Sequence, residues 1–331
     1  MESKPSRTST SISKRKSNLT IVKKFYILAL VALLIAGTVV YKPDLPGIGL
    51  SAAVASAKTI AELMNHYRLA SLGVPKKVKI VLVPGHEPGL GGTEYRTIRE
   101  RDLVVGIADH LTHLLQAQPQ YNVIQTRDGL DWNPIFKNYF ATQWDAISAW
   151  RQQNAQDFAL LKQSGAITVV PSLMTHNTAP NNVALHLHGI NKWSNENNVD
   201  IELHLHINDY PHTHTSRPGK YTGFVIYVPE KQFLNSTTTR MLATSIQKRL
   251  AEKFPVSDMP GESAGIAESQ DLIAVGEYDS VSAASLLIEY GYIYEPEFTD
   301  PARREETLKT MAEQTYLGIQ DFFTQKDTQQ K

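Results

Sequence analysis

Short apolar runs alternate with amphipathic patterns along most of the chain. Runs rich in β-branched residues predict strands at VKIVLVP (78–84), YNVIQTRD (121–128), AITVVPS (166–172), VDIELHLHIN (199–208), TGFVIYVP (222–229) and ASLLIEYGYIY (284–294). Apolar positions with helical spacing predict helices at 103–115, 144–163, 238–254 and 304–323. This alternation predicts an α/β fold whose mostly parallel, twisted sheet is covered by helices on both faces. In such a sheet the active site forms beyond the carboxyl ends of the strands.

The segment before this pattern has a different organisation. Residues 1–24 are basic, rich in Ser and Thr and without apolar periodicity, which predicts a disordered tail. Residues 42–76 contain Pro, Gly and Ala and read as a linker, with one possible short helix at 59–73. We expect a single catalytic domain over 77–325 and a polar tail over 326–331.

An uncharged apolar run from Phe25 to Tyr41 follows the basic tail. Its length lies within the range that spans a bilayer, which favours an uncleaved signal anchor. The tripeptide ASA at 55–57 is a possible cleavage site, but it lies far downstream of the run. Because basic flanks stay in the cytoplasm, we expect a membrane-anchored chain with an extracytoplasmic domain, in the periplasm or on the cell-wall side. Cleavage near Ala57 would instead give a secreted protein.

Charge and cysteine content exclude several classes of function. The formal net charge is zero, but residues 1–24 hold seven Lys/Arg and one acidic residue, which leaves 26 basic and 32 acidic residues in the remainder. A mildly acidic body argues against nucleic acid as a partner. The chain has no cysteine, so disulfide scaffolds, cysteine nucleophiles and thiolate metal sites are excluded.

Four polar residues lie at predicted strand ends or interrupt an apolar strand. His86 follows the first strand and its Pro-Gly turn, Glu100 begins the next helix, and His206 lies near the end of a later strand. Glu289 interrupts the apolar run SLLIEYGY. A Glu in the first turn of a helix is favoured by the helix dipole without any metal, and a single His after a turn is often a simple loop residue. A carboxylate inside a buried strand is harder to explain without a partner or a chemical role.

Together these residues match the needs of a catalytic zinc site. Two imidazoles and one carboxylate give zinc three protein ligands and leave one position for water. A separate carboxylate can then take the proton of that water. The histidine assignment stays open at this point, because the stretch IELHLHINDYPHTHT contains His204, His206, His212 and His214, and ALHLHG contains His186 and His188. Alternation on a strand puts His204 and His206 on one face, with His206 nearer the strand end.

The motifs resemble those of the zinc-dependent N-acetylmuramoyl-L-alanine amidases, which hydrolyse peptidoglycan. VPGHEPG is similar to the family's DPGHGG, ERD to its EKD, and TRD ends the next strand in both. WSNENNVDIELHLHIN is similar to the family's helix followed by SIHAN, GFVIYV to its next strand, and LLIEYGYIYEP to its vLvElGFlsNp. The resemblance covers roughly residues 77–325. It implies Zn2+ ligands at His86, Glu100 and His206 and a catalytic Glu289. His204 and Asn208 are expected to lie behind the ligands without contacting the metal.

The chain also departs from the family pattern. Val83 replaces the usual Asp, Glu87 and Pro88 replace two glycines, and an insertion is expected at about 129–190.

The resemblance implies hydrolysis of the amide between N-acetylmuramic acid and L-alanine, with a muropeptide of peptidoglycan as substrate and the cytoplasmic membrane as a partner through the N-terminal helix. Two alternatives stay open: another zinc amidohydrolase or peptidase on the same scaffold, and an inactive membrane-tethered module that binds the cell wall.

Overall fold

The central element of the computed structural model is a six-stranded sheet flanked by helices. The structure describes residues 57–171, 179–210, 217–275 and 282–324. The strands are β1 (Val78–Pro84), β4 (Tyr121–Gln125), β5 (Ile201–Asn208), β6 (Val225–Pro229), β7 (Ile266–Ser269) and β8 (Ala284–Tyr292), and a small hairpin pairs β2 (Glu94–Tyr95) with β3 (Ile98–Arg99). The helices are α1 (Ile60–Ser71), α2 (Glu100–Gln116), α3 (Pro134–Gln163), α4 (Asn181–Glu196), α5 (Ser236–Leu250), α6 (Pro296–Thr299) and α7 (Pro301–Thr324), with a 3₁₀ turn at Ile273–Val275.

The strand order is β4-β1-β5-β8-β6-β7. Strands β4, β1, β5 and β8 run parallel to one another, and β6 is antiparallel to β8 and parallel to β7. The sheet is therefore mostly parallel, as the sequence pattern predicts. The carboxyl ends of β1, β5 and β8 meet at one edge, and that edge carries the candidate site.

Each face of the sheet is covered by its own helices. One face packs on α2, α5 and α7 through a core that includes Ile80, Leu82, Leu203, Leu286 and Ile288. The opposite face packs on α3 and α4 through Val81, Val83, Phe136, Ile147 and Trp193. Odd and even strand positions thus belong to different cores, as the two-residue period of a strand requires. This arrangement explains why the central strands read as continuous apolar runs.

Helix α1 belongs to the domain rather than to a free linker. A capping box between Thr59 and Glu62 begins the helix, and Leu63 is fully buried in the main core. His66 Nδ1 lies 2.9 Å from Asp200 Oδ1, directly before β5. The predicted helix at 59–73 is confirmed, and it packs against the sheet.

Most of the predicted elements are present with shifted ends. The predicted strand at 166–172 is wrong over 166–171, since these residues form a bend and an irregular segment after α3; residue 172 lies outside the described residues. Glutamine side chains bind the backbone of this segment, with Thr168 N donating to Gln232 Oε1 at 2.8 Å and Val170 N donating to Gln270 Oε1 at 2.9 Å. The backbone of this apolar, β-branched run is therefore hydrogen-bonded by side-chain amides instead of by a neighbouring strand.

Other differences concern helices. Helix α3 begins at Pro134, ten residues before the predicted start, because Asn133 caps it and Pro134 fits the first turn. The alternating His186 and His188 lie on α4 and not on a strand. In the described part of the chain, no helix combines the length and apolarity needed to cross a membrane. The predicted anchor at 25–41 and the tails 1–24 and 326–331 lie outside the described residues.

Candidate metal centre

His86 is held in an unusual backbone conformation directly after β1. Its φ is +67°, a region that costs a non-glycine residue free energy and is kept only where the surroundings enforce it. Glycines 91 and 92 lie against its ring, and a Cβ added at Gly92 would come within 2.9 Å of His86 Cδ2. The glycine-rich loop therefore allows the backbone to approach the imidazole closely.

Glu100 is the first residue of α2 and is almost fully buried. Each of its carboxylate oxygens has one backbone donor: Ile207 N donates to Oε1 at 3.1 Å and Thr93 N donates to Oε2 at 2.9 Å. Each oxygen also lies near one imidazole, since His206 Nδ1 is 3.0 Å from Oε1 and His86 Nε2 is 2.8 Å from Oε2. Burial opposes ionisation of Glu100, but its interactions with the imidazoles of His206 and His86 outweigh it and lower the pKa of this carboxyl.

His206 lies two residues before Asn208, the last residue of β5. Its ring packs on Gly85, where an added Cβ would come within 2.4 Å of His206 Cε1. Burial lowers the pKa of His206, although Glu100 acts in the opposite direction. A neutral imidazole is the form that binds a metal ion.

These three residues fit a divalent cation of the zinc type. One candidate ligand atom from each of His86, Glu100 and His206 lies within 4.8 Å of the others. His86 Nε2 is buried close to the carboxylate yet lacks hydrogen-bond geometry to any described residue. Two imidazoles and one carboxylate leave a position for water on a tetrahedral ion. The structure thus brings together the three residues predicted as ligands, and their role as ligands stays a prediction.

Arg127 holds the loop that carries His86. Its side chain is buried and donates to the carbonyl oxygens of Pro84 at 3.1 Å and His86 at 2.8 Å from Nε. The other guanidinium nitrogens donate to the carbonyls of Gly85, Arg101 and Asp128. Burial lowers the pKa of Arg127 to about 10, so it stays charged near neutral pH. The TRD motif could have identified this residue, but sequence alone gave it no role.

Glu289 is the neighbour of His206 across the β5–β8 ladder. Directly after it the β5–β8 register shifts, and Asn208 pairs with Tyr292. Burial raises the pKa of Glu289 well above its usual range, and the negative charges of Glu100 and Glu262 act in the same direction. Its Oε2 atom is buried without a hydrogen-bond partner in the described chain. A carboxyl in this state is available to exchange a proton with a bound molecule.

A second buried carboxylate, Glu262, lies near Glu289 and was missed by the sequence reasoning. It is fully buried and accepts hydrogen bonds from Tyr227 Oη at 2.7 Å and Tyr292 Oη at 3.0 Å. Ser257 and Asn208 also donate to it. Glu262 lies in a loop between α5 and β7, and the surrounding sequence has no strand or helix pattern. The sequence therefore did not indicate that this residue is buried near the candidate site.

The remaining candidate histidines lie elsewhere. His204 is fully buried, and its Nε2 lies 2.9 Å from Glu202 Oε1. His186 Nδ1 lies 2.5 Å from Glu87 Oε1, which ties α4 to the residue after His86. His188 is buried on α4. His212 and His214 lie outside the described residues. The outer roles predicted for His204 and Asn208 stay predictions.

Comparison with known proteins gives one family. The sequence model described as N-acetylmuramoyl-L-alanine amidase matches residues 80–321. No curated protein matches the chain.

Several solved amidase structures are similar to this chain. One is that of the CwlD amidase from Clostridioides difficile in complex with the GerS lipoprotein, with 16% identity, a TM-score of 0.49, and coverage of 75% of this chain and 99% of that chain. An N-acetylmuramoyl-L-alanine amidase from Clostridium difficile 630 has 18% identity, a TM-score of 0.47, and coverage of 76% and 98%. The amidase Ami1 from Mycobacterium smegmatis has 14% identity, a TM-score of 0.46, and coverage of 75% and 98%.

Proposed function

The chain belongs to the N-acetylmuramoyl-L-alanine amidase family, and from this premise we propose that it is a zinc enzyme that cuts the amide between the lactyl group of N-acetylmuramic acid and L-alanine in peptidoglycan. The observation that carries the proposal is the cluster of His86, Glu100 and His206 at the carboxyl edge of the sheet, beside the buried carboxyl of Glu289.

His86, Glu100 and His206 would hold the zinc ion. When bound, zinc lowers the pKa of a coordinated water and polarises the scissile carbonyl. The protein prepares these ligands by ionising Glu100 and by keeping His206 neutral. Arg127 and the glycine loop fix the position of His86. All three ligands are therefore oriented before the metal arrives, which favours binding.

Glu289 is proposed as the general base and then the general acid. It accepts a proton from the attacking water and delivers it to the amide nitrogen of L-alanine as the C–N bond breaks. The lactyl carboxylate and a peptide with a free amino terminus leave as products. Burial raises the pKa of Glu289, as do the charges of Glu100 and Glu262, whereas a bound zinc ion would lower it. These opposing effects support the role, because a group that takes and then returns a proton needs both protonation states to be accessible.

Digestion of purified peptidoglycan tests the proposal. The full chain should release peptides with N-terminal alanine and create no new reducing ends, and a chelator should stop the release. Zinc added back after the chelator should restore it. Release of peptides cut between amino acids would favour the alternative of a zinc peptidase on the same scaffold. No release from a zinc-loaded chain would favour the inactive wall-binding module.

The proposed location is the outer side of the cytoplasmic membrane, with residues 25–41 as the anchor. The apolar run and its basic flank support this proposal. A reporter fused after Lys331 should be active only outside the cytoplasm, and the full-length chain should remain in the membrane fraction. A soluble mature protein that begins near Lys58 would show cleavage at 55–57 instead.

A further inference from the structure

The turn after α1 exposes apolar and basic side chains together. Residues 71–77, with the sequence SLGVPKK, are exposed at every position. Leu72 is 69% exposed and Val74 is 40% exposed, and Lys76 and Lys77 follow them. Arg68, also exposed, lies one turn earlier on α1. Apolar side chains bordered by cations are the pattern of a surface that contacts the headgroup region of a membrane.

The turn is built by regular backbone hydrogen bonds. Gly73 has a φ of +78°, its N–H donates to Ala70 O at 3.0 Å, and Val74 N–H donates to Leu69 O at 3.0 Å. This is the arrangement that ends a helix with a left-handed glycine. The exposure of Leu72 and Val74 is therefore a property of a defined turn that points them away from the core.

Positive charge is concentrated in α1 and the turn that follows it. Residues 58–79 hold five Lys/Arg and one Glu, whereas residues 80–331 hold 20 Lys/Arg and 30 Asp/Glu. The glutamate, Glu62, is engaged in the capping box at the far end of α1. An anionic surface would attract this segment and repel the rest of the domain. The charge distribution thus selects one orientation against such a surface.

The segment lies at the edge of the sheet opposite the metal centre. Lys58 N–H donates to Ser282 O, just before β8, at 2.7 Å, and His66 contacts Asp200, just before β5. Tyr67 packs on Tyr121, the first residue of β4, with ring centroids 5.9 Å apart. Helix α1 therefore crosses the amino-terminal ends of the parallel strands. Strands of seven to nine residues separate this edge from the metal centre by about 20–30 Å.

The first described residue of the chain lies at this edge. The predicted anchor ends at residue 41, and the described chain begins at residue 57, adjacent to the contact of Lys58 with Ser282. The 15 residues between them, 42–56, reach at most about 50 Å even when fully extended. The edge that bears the basic turn is the edge at which the tether joins the domain.

We propose that residues 71–77, together with Arg68, dock on the anionic surface of the cytoplasmic membrane. Leu72 and Val74 enter the headgroup region, and Lys76, Lys77 and Arg68 lie against lipid phosphates. The metal centre then faces away from the membrane, toward the peptidoglycan. The inference rests on the proposed membrane anchor and is independent of the chemistry proposed for the site.

A cysteine-free chain allows a direct test with single labels. Leu72→Cys carries an environment-sensitive fluorophore in the turn, and Leu130→Cys, at a position 91% exposed beyond β4, carries the same label at the opposite edge. The full chain is reconstituted in vesicles of phosphatidylcholine alone or mixed with phosphatidylglycerol. Quenching by neutral acrylamide then measures how far each label is shielded from water. Amidase activity and metal content are measured on the same samples.

On anionic vesicles we expect the label at 72 to become shielded and its emission to shift to the blue, while the label at 130 stays open to the quencher. Lys76→Gln with Lys77→Gln should weaken the contact about 25-fold, because each lysine near an anionic surface contributes roughly fivefold. The charge-matched control, Lys137→Gln with Lys253→Gln at the opposite edge, should leave it intact. High salt should weaken it as well.

Three outcomes overturn the docking. These are equal access of the quencher to both labels on anionic vesicles, equal shielding of both labels, and failure of the full chain to float with the vesicles. In each of these cases unchanged amidase activity leaves the proposed function standing. If the label at 72 is shielded but the reconstituted chain has no amidase activity, the result counts against the proposed function and not against the docking.

Discussion

His206 and Glu289 are paired across the β5–β8 ladder, and as neighbours in register their side chains lie on the same face of the sheet. One is a proposed metal ligand and the other the proposed base, so a single register of two central strands sets their relative position. The register shifts directly after this pair. A shift one residue earlier would turn one of the two side chains to the opposite face.

Replacement of the base should separate catalysis from folding. Glu289→Gln keeps the size of the side chain and removes its ability to accept a proton. We expect the zinc content to persist and turnover on peptidoglycan to fall by about 10²–10⁴-fold, the usual scale for general acid–base catalysis. Metal analysis and peptide release measure the two effects. Full turnover in the variant would exclude Glu289 as the base.

The same variant should reveal the cost of the buried carboxyl in the metal-free protein. Because the folded-state pKa of Glu289 is raised, the unfolded chain ionises first as the pH increases, and stability is lost between the unfolded and the folded pKa. Metal-free Glu289→Gln should therefore melt at a higher temperature than the parent chain at neutral pH, with a smaller gain near pH 4. A lower melting temperature at neutral pH would indicate that the carboxylate stabilises the fold.

Substitution of the predicted ligands tests the metal centre. His86→Ala and His206→Ala should each lose most of the bound zinc, since only two protein ligands remain. His204→Ala is the control: it should keep the zinc but melt at a lower temperature, because Glu202 loses a buried partner. Loss of zinc in His204→Ala with retention in His206→Ala would reverse the assignment of these two histidines.

The sequence predicts that these candidate ligands lie together because each of them is near the boundary of a regular element. His86, Glu100 and His206 lie where a strand ends or a helix begins, and strand periodicity defines which residues share a face. The choice of His206 over His186 depended on the family resemblance, since alternation alone does not distinguish the helical pattern of ALHLHG from a strand. In the structure His186 lies on α4, where it contacts Glu87.

The features that the sequence did not predict depend on contacts between distant segments. The segment at 166–171 has strand composition, but Gln232 and Gln270 supply its hydrogen bonds, and no local pattern reports such partners. Glu262 reaches its tyrosine partners from a loop. Arg127 is buried because five carbonyl oxygens from three segments surround it.

A methyl group at Gly85 should disturb the metal centre directly. The Cβ of Gly85→Ala would lie 2.4 Å from the ring of His206, which forces the ring or the loop to move. We expect weaker zinc binding with a smaller effect on the melting temperature. Gly129→Ala is the matched control, because an added Cβ there meets nothing within 4 Å. Equal zinc affinity in both variants would show that the His206 ring has room that the structure does not give it.

Arg127→Lys should weaken metal binding without removing a ligand. The guanidinium donates to the carbonyls of Pro84, Gly85 and His86 at once, and a single ammonium group cannot satisfy this arrangement. His86 keeps its strained φ of +67° only while its surroundings enforce it. We expect zinc affinity to fall by about 10–100-fold, as for other groups that orient metal ligands. Competition with a chromogenic chelator measures this affinity.

The control for Arg127→Lys is Arg99→Lys, because Arg99 is half exposed and forms an ion pair with Asp102 on the surface. Exposed ion pairs contribute little to stability, so this variant should match the parent chain in zinc affinity and melting temperature. Cobalt substituted for zinc gives a measurement that does not depend on protein stability, because the absorption spectrum of cobalt follows the geometry of its ligands. An altered cobalt spectrum in Arg127→Lys, alongside weaker binding, identifies Arg127 as the residue that positions His86. An unchanged spectrum and zinc affinity with a lower melting temperature would show that Arg127 stabilises the fold and does not position His86.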